Sequence, residues 1–351
     1  MSKTLESKKI AVLMSGGVDS SVAALLLKQQ GHDVIGITMQ ITADKSAANK
    51  AKKICAQLDI EHFLIDLVDD FKNIVLHYFK TQYENGKTPN PCVICNQKIK
   101  FEKMFEFAKS LGAELIATGH YAILESNNDK IYLKKSENLK KDQSYFLSRV
   151  SEDILKHTLF PLGNFSKDKV RELADSFNLA SKSDKDSQDI CFLSDTNYKD
   201  FLENDLKIQV KQGNIIDENG KILGKHNGIH NYTIGQRKGL GAFGEPKVVR
   251  NIDADTGDIT LVNKDKAYFG SAVIENLNFY QAFDEFKNSD NLTVKVRYTQ
   301  NETKLQKMIL SDGGCEIFFA DPQKAVSKGQ FAVCYYENIL LFSGEIKSAK
   351  S

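Results

Sequence analysis

The 351-residue sequence lacks an excess of either charge, because 47 lysines and arginines face 46 aspartates and glutamates. A formal charge of +1 excludes a basic field over the whole molecule, so a nucleic-acid partner would have to meet a local patch. The first apolar stretch is interrupted by glycines and Asp19, which excludes a signal-peptide core or membrane span there. Internal repeats and low-complexity tracts are absent too. These absences predict a folded cytoplasmic protein of two or three domains.

Cysteine is also scarce, with six residues and no secretion signal. A disulfide framework is typical of short secreted chains, so these cysteines are better interpreted as thiols, catalytic groups or metal ligands. Cys55, Cys315 and Cys334 lie in apolar helical or strand patterns, which predicts small buried core residues. Cys92, Cys95 and Cys191 remain as candidates for chemistry.

The first part of the chain alternates short β-branched runs with helical patterns, a rhythm typical of βαβ units around a parallel sheet. After about residue 200, glycines punctuate short segments, and 255–257 reads as a turn between two strands. From about residue 268 apolar and polar residues alternate, as at 294–299, which indicates a closed or sandwiched β domain. The predicted strands lie at 10–14, 34–39, 60–66, 114–118, 248–252 and 259–262, and the predicted helices at 19–30, 45–58, 97–111 and 166–177.

Residues 15–21 read Ser-Gly-Gly-Val-Asp-Ser-Ser at the point where the first strand should feed a helix. The glycines let the backbone approach an anion closely. Free backbone N–H groups and the helix dipole then point toward that anion. Asp19 and Ser20 are suited to capping, and the carboxylate could hold Mg²⁺ bridging phosphates. The loop is not a Walker A motif. It resembles the PP-loop of ATP pyrophosphatases, which cleave ATP between the α and β phosphates and activate a carbonyl oxygen by adenylation.

Ligands of open α/β sheets bind beyond the carboxyl ends of the strands, where two further segments fit the same pocket. By resemblance, Met39 contacts the adenine and Gly119 lets the backbone approach the nucleotide closely. The predicted ATP-binding residues are Leu13, Met14, Ser15, Gly16, Gly17, Val18, Asp19, Ser20, Met39 and Gly119.

Cys92 and Cys95 form a Cys-x-x-Cys just before a predicted helix, whose dipole would favour a thiolate. Alone, this motif fits a redox pair, half of a zinc site or part of an iron–sulfur site, and structural zinc is disfavoured because no second Cys-x-x-Cys occurs. Cys191 is the other candidate, and only folding could bring it near Cys92 and Cys95.

Six motifs together carry a closer resemblance, at residues 14–21, 88–96, 117–121, 141–146, 190–192 and 233–241. In this combination the chain resembles the bacterial tRNA-specific 2-thiouridylases. The resemblance implies an α/β adenylating domain at 1–204, a small β-rich central domain at 205–265 and a tRNA-contacting β-barrel at 266–351. It implies adenylation of O2 of the wobble uridine with ATP and Mg²⁺, followed by sulfur transfer to C2.

By the same resemblance, Cys191 carries the incoming sulfur as a persulfide from a donor protein. Cys95 is the nucleophile that helps to release it, leaving a Cys95–Cys191 disulfide for reduction. The target base is expected at Asn90, Pro91 and Cys92, and tRNA contacts at His120, Lys141, Asp142, Gln143, Arg297, Tyr298 and Gln330.

Cys92 departs from the family, because many members carry an aspartate there as a proposed acid–base group. A carboxylate role therefore does not carry over, and Cys92, Cys95 and Cys191 together could instead ligate a [4Fe-4S] cluster. Two further alternatives remain open: a PP-loop ligase with a nitrogen nucleophile, and a non-enzymatic RNA-binding redox sensor.

Overall fold

A five-stranded parallel sheet forms the first part of the molecule. The computed structural model describes residues 6–127, 130–181, 190–193 and 197–351. The order of the sheet is β3-β2-β1-β4-β7, and every neighbouring pair is parallel. The strands of the described residues are β1 (Lys9–Leu13), β2 (Asp33–Gln40), β3 (Glu61–Asp66), β4 (Leu115–Ala117), β5 (Ala122–Asn127), β6 (Lys130–Lys135), β7 (Thr158–Leu159), β8 (Gly213–Ile216), β9 (Ile222–His226), β10 (Lys247–Ile252), β11 (Ile259–Asn263), β12 (Tyr268–Phe279), β13 (Leu292–Lys295), β14 (Thr303–Ser311), β15 (Gly314–Lys324), β16 (Phe331–Tyr336) and β17 (Ile339–Lys350).

Helices cover both faces of this sheet, because alternate strand residues point to opposite sides. Ile10 and Val12 pack in one buried cluster with Val22, whereas Ala11 packs in another with Phe71. No helix of the described ranges is long and apolar enough to cross a bilayer. The helices there are α1 (Val18–Gln29), α2 (Ser46–Gln57), α3 (Val68–Phe71), α4 (His77–Glu84), α5 (Pro91–Ile94), α6 (Met104–Ser110), α7 (Ser144–Leu147), α8 (Glu152–Leu155), α9 (Lys167–Ser176), α10 (Tyr198–Asp200) and α11 (Ala282–Phe286), with π-helical segments at Lys72–Leu76, Cys95–Lys103 and Phe201–Asp205 and 3₁₀ turns at Ile229–Asn231 and Lys264–Lys266.

Two more sheets follow in the chain. The first has the order β10-β11-β8-β9, and the predicted turn at 255–257 joins β10 to β11 as an antiparallel hairpin. In the second, β12-β15-β14-β13-β16-β17, the end strands β12 and β17 also pair, so the sheet closes into a six-stranded barrel. Closure removes the exposed sheet edges. The predicted fold class, an α/β domain followed by a small β-rich domain and a β-barrel, is confirmed.

The α/β region also contributes a hairpin to the barrel sheet, which the sequence did not predict. β5 and β6 pair antiparallel, and β6 joins β17 through Lys134 and Ile339. Since β5 follows β4 after a short turn, the barrel is tied to the carboxyl end of β4. The strand expected through 294–299 ends at Lys295, so the side chains beyond it do not share one strand face.

Candidate active site

A cleft of about 560 Å³ opens at the carboxyl ends of β1, β2 and β4. This is where open α/β sheets bind ligands. The cleft is lined by Leu13, Met14, Ser15, Ile37, Met39, Lys100, Met104, Thr118, Gly119, His120 and Gln143. The structure thus brings five of the predicted ATP-binding residues to one cavity, whose apolar side chains fit an adenine ring.

The other predicted ATP-binding residues form the loop beside the cleft. Gly16 has φ +80°, and a Cβ there would lie 2.8 Å from the Ala47 carbonyl oxygen, so only glycine fits. The Ser20 hydroxyl donates to the Gly17 carbonyl at 3.1 Å, and the Ser15 N–H donates to the Ser20 hydroxyl at 3.3 Å. These bonds fix the loop at the start of α1, where backbone N–H groups suit a phosphate.

Asp19 does not cap α1, so that prediction is wrong. The helix begins at Val18 with Gly17 in the N-cap position and no side-chain cap. The Asp19 carboxylate instead accepts hydrogen bonds from Lys167 Nζ at 2.8 and 2.9 Å and from the Tyr121 hydroxyl at 2.8 Å. A carboxylate beside a phosphate loop is the donor that Mg²⁺ uses together with phosphate oxygens. The residues present therefore fit a magnesium nucleotide, and Lys167 is a functional candidate that no local sequence signal reveals.

Gly119 and His120 connect the loop to the cleft wall. A Cβ on Gly119 would lie 2.7 Å from the Ser20 backbone nitrogen, so the close approach that glycine allows here is to the loop itself. The His120 ring hydrogen-bonds to the Thr118 hydroxyl at 2.8 Å, and burial holds the pKa of His120 well below its usual range. His120 is therefore a neutral polar group at neutral pH.

Cys92 and Cys95 lie at the start of a helical run, and Cys191 lies near them on a separate turn. Asn90 caps this helix, with its side-chain oxygen accepting from Val93 N–H at 3.4 Å. Cys92 is half-buried and Cys95 is 6% exposed, and burial raises the pKa of Cys95 to about 12. Cys191 is exposed and close enough for its charge to raise the pKa of both other thiols further.

The same cysteines do not form a cluster site in this arrangement. Across the described ranges, which include all three, no group of three His, Cys, Asp or Glu side chains could hold a metal ion. A [4Fe-4S] cluster needs cysteine thiolates that converge on it. The residues present therefore do not fit that alternative.

The predicted tRNA contacts lie at the cleft or at the junction with the barrel, and two of them are buried. Asp142, 6% exposed, accepts from the Ser144 hydroxyl at 2.8 Å. Gln330, also 6% exposed, donates to the Thr88 carbonyl at 2.8 Å and the Pro89 carbonyl at 3.1 Å. Because these polar groups are satisfied inside the protein, the structure does not support direct RNA contacts by them.

The remaining predicted contacts are more accessible. His120 and Gln143 line the cleft. Lys141 and Tyr298 are half-buried and interact electrostatically with each other. Arg297 is half-buried, lies beyond the end of β13 and donates to the Ser327 hydroxyl at 2.8 Å.

Comparisons with known proteins agree with this arrangement of domains. Residues 8–195 match the family described as the tRNA methyl transferase HUP domain, 199–263 the tRNA methyl transferase PRC-barrel domain, and 270–346 the aminomethyltransferase β-barrel domain. A solved NMN synthetase from Francisella tularensis is 15% identical, with a TM-score of 0.36, and the match covers 59% of this chain and 80% of that one.

Two relatives match almost end to end. The tRNA-specific 2-thiouridylase MnmA of Clostridium beijerinckii is 41% identical over 355 residues, covering 97% of this chain and 99% of the relative. The protein of the same name from Acetivibrio thermocellus is 41% identical over 360 residues, covering 98% and 100%. Identity of this extent spans the phosphate loop, the cysteine-bearing helix and the barrel alike, and the chain belongs to the tRNA-specific 2-thiouridylase family.

Proposed function

We propose that this protein is an ATP-dependent sulfurtransferase that makes 2-thiouridine at the wobble position of tRNA. The observation that carries the proposal is that Cys95 begins a helical segment whose Lys100 lines a cleft beside a phosphate-type loop, with the exposed Cys191 nearby. A uracil O2 is a poor leaving group. Joining it to AMP with release of pyrophosphate turns it into a phosphate ester, which a sulfur nucleophile displaces.

In the proposed reaction, a donor protein leaves a persulfide on Cys191. Its terminal sulfur attacks C2, and O2 departs on AMP. The Cys95 thiolate then attacks Sγ of Cys191 and breaks the sulfur–sulfur bond, so the terminal sulfur stays on C2. The two electrons of that bond remain with the product, and an external thiol reductant supplies two electrons to reduce the resulting Cys95–Cys191 disulfide before the next cycle. Asn90, Pro91 and Cys92 hold the base.

The domains divide this work. Residues 1–204 bind ATP with Mg²⁺ and adenylate the base, 205–265 form the central domain, and 266–351 contact tRNA in the cytoplasm. The family description of residues 8–195 names methyl transfer. The thiols beside the cleft support sulfur transfer instead, and a ligase with a nitrogen nucleophile would not need them.

The test supplies wild-type protein with ATP, a tRNA bearing an unmodified wobble uridine and a persulfide-charged donor protein. We expect one pyrophosphate and one AMP for each 2-thiouridine. Nucleoside mass spectrometry measures the 2-thiouridine, and separate assays measure pyrophosphate and AMP. An absence of pyrophosphate release would contradict the enzyme proposal and favour an RNA-binding sensor.

Gln330→Ala is expected to lower kcat about tenfold and leave the Kd for tRNA within about twofold. The substitution leaves the carbonyls of Thr88 and Pro89 without their donor, at a cost of about 1–3 kcal/mol, and loosens the segment that leads to Cys92. Single-turnover rates and tRNA titrations measure the two effects. Gln323→Ala is the matched control, because the Gln323 side chain donates to the carbonyl of Asp321, two residues away in the chain. Weaker tRNA binding at an unchanged kcat would indicate a direct RNA contact instead.

A further inference from the structure

Lys100 is a cation of the cleft that the reaction above does not use. It is half-buried and lines the cavity together with Ser15, Gly119 and His120. Its neighbours on the same helical run have surface partners instead. Lys98 Nζ pairs with Glu102 at 2.9 Å, and Lys103 Nζ pairs with Asp70 at 3.1 Å. Lys100 therefore differs from the adjacent lysines in facing the nucleotide site.

The winding of this segment explains how one residue reaches both the cleft and the thiols. Cys95–Lys103 is π-helical, and the Met104 N–H donates to the Ile99 carbonyl five residues back. In an α-helix with 3.6 residues per turn, residues five apart point in different directions. The wider turn of a π-helix brings residues five apart closer to one face, which turns Lys100 toward the side of Cys95. Such segments occur frequently at functional sites.

The electrostatics agree with this placement. The charge of Lys100 lowers the pKa of Cys92 and of Cys95, against the larger opposing effect of burial. It also lowers the pKa of His120, in the same direction as burial does. One cation thus acts on both thiols of the helix and on a polar group of the cleft wall.

We propose that Lys100 serves both halves of the reaction, binding a phosphate group of the nucleotide and stabilising the Cys95 thiolate during sulfur transfer. The inference rests on the proposed function, because that function supplies the phosphate and the thiolate. A preorganised ammonium in a site of restricted water access stabilises developing negative charge without reorganising at the moment of reaction. Lysine suits two successive partners, since its ammonium is a compact charge on a flexible stem.

The experiment compares wild type, Lys100→Met, Lys100→Arg and the surface control Lys98→Met in the full chain. Calorimetric titration with ATP, without tRNA, gives the Kd. We expect Lys100→Met to weaken ATP binding roughly ten- to a hundredfold, with most of the affinity restored in Lys100→Arg. Iodoacetamide labelling at fixed pH, followed at Cys95 by peptide mass spectrometry, should be about tenfold slower in Lys100→Met. Lys98→Met should match wild type in both measurements.

Each other outcome is decisive. Wild-type ATP affinity together with a wild-type Cys95 labelling rate in Lys100→Met would overturn this inference and leave the proposed function standing. A change in only one of the two would overturn the shared role. If wild type itself fails to bind ATP, the proposed function falls and the inference falls with it. If Lys100→Met does not fold, Lys100→Gln provides the same comparison.

Discussion

Cys191→Ser is expected to abolish 2-thiouridine formation, by roughly a thousandfold or more, while ATP-dependent pyrophosphate release continues. Serine cannot carry a persulfide, so the sulfur has no route to C2. The side chain of Cys191 is exposed and does not line the nucleotide cleft, so adenylation should lose little. Nucleoside mass spectrometry and a pyrophosphate assay on the same reaction measure the two steps separately.

Cys315→Ala is a suitable control, because Cys315 is a buried cysteine of the barrel core. It should thiolate tRNA at the wild-type rate if it keeps its fold, as thermal unfolding reports. Sulfur incorporation by Cys191→Ser would remove the persulfide role of Cys191. Loss of pyrophosphate release in that variant would show that activation depends on the cysteine as well.

Gly16→Ala is expected to weaken ATP binding at least a hundredfold. The new Cβ would lie 2.8 Å from the Ala47 carbonyl oxygen and 2.9 Å from the Lys50 Cβ, so the loop or α2 must shift. Overpacking of this kind costs about 1–3 kcal/mol, in addition to about 1–2 kcal/mol for the left-handed backbone. Calorimetric titration with ATP gives the affinity, and thermal unfolding gives the stability.

Gly31→Ala separates these two costs. Gly31 has φ +85°, close to the +80° of Gly16, but a Cβ there meets nothing within 4 Å. It should lose stability through backbone strain alone and bind ATP like wild type. Equal ATP affinity in the two variants would mean that the loop accommodates the methyl group freely, and the tight fit of Gly16 would then have no role in nucleotide binding.

Local patterns in the sequence predict the α/β elements well, because each depends on near neighbours. β1 was expected at 10–14 and forms Lys9–Leu13, while α1 was expected at 19–30 and forms Val18–Gln29. The nucleotide loop is predictable in the same way, since its glycines and hydroxyls are adjacent in the chain. The rule that strand ends meet at one edge of a sheet places Met39 and Gly119 near this loop, whereas their nucleotide role, and that of Leu13, follows from the family resemblance.

Other parts of the site depend on contacts that no local pattern encodes. Lys167 reaches Asp19 across 148 positions, and its helix gives no sign of this use. Lys100 looks like any lysine of an amphipathic helix until the π-helical winding is known. The resemblance predicts an RNA contact at Gln330, and its burial at the junction between domains has no signal in the sequence.

The hydrogen bond between Gln330 and the Thr88 carbonyl joins positions 242 apart. A ribosome adding about 5–20 residues per second makes the thiol-bearing helix roughly ten to fifty seconds before the barrel residue that secures it. A nascent chain can complete its parallel sheet early while the segment that leads to its cysteines still lacks this hydrogen bond. The segment before Cys92 therefore reaches its final arrangement late in synthesis, after the barrel residue that bonds to it has been made.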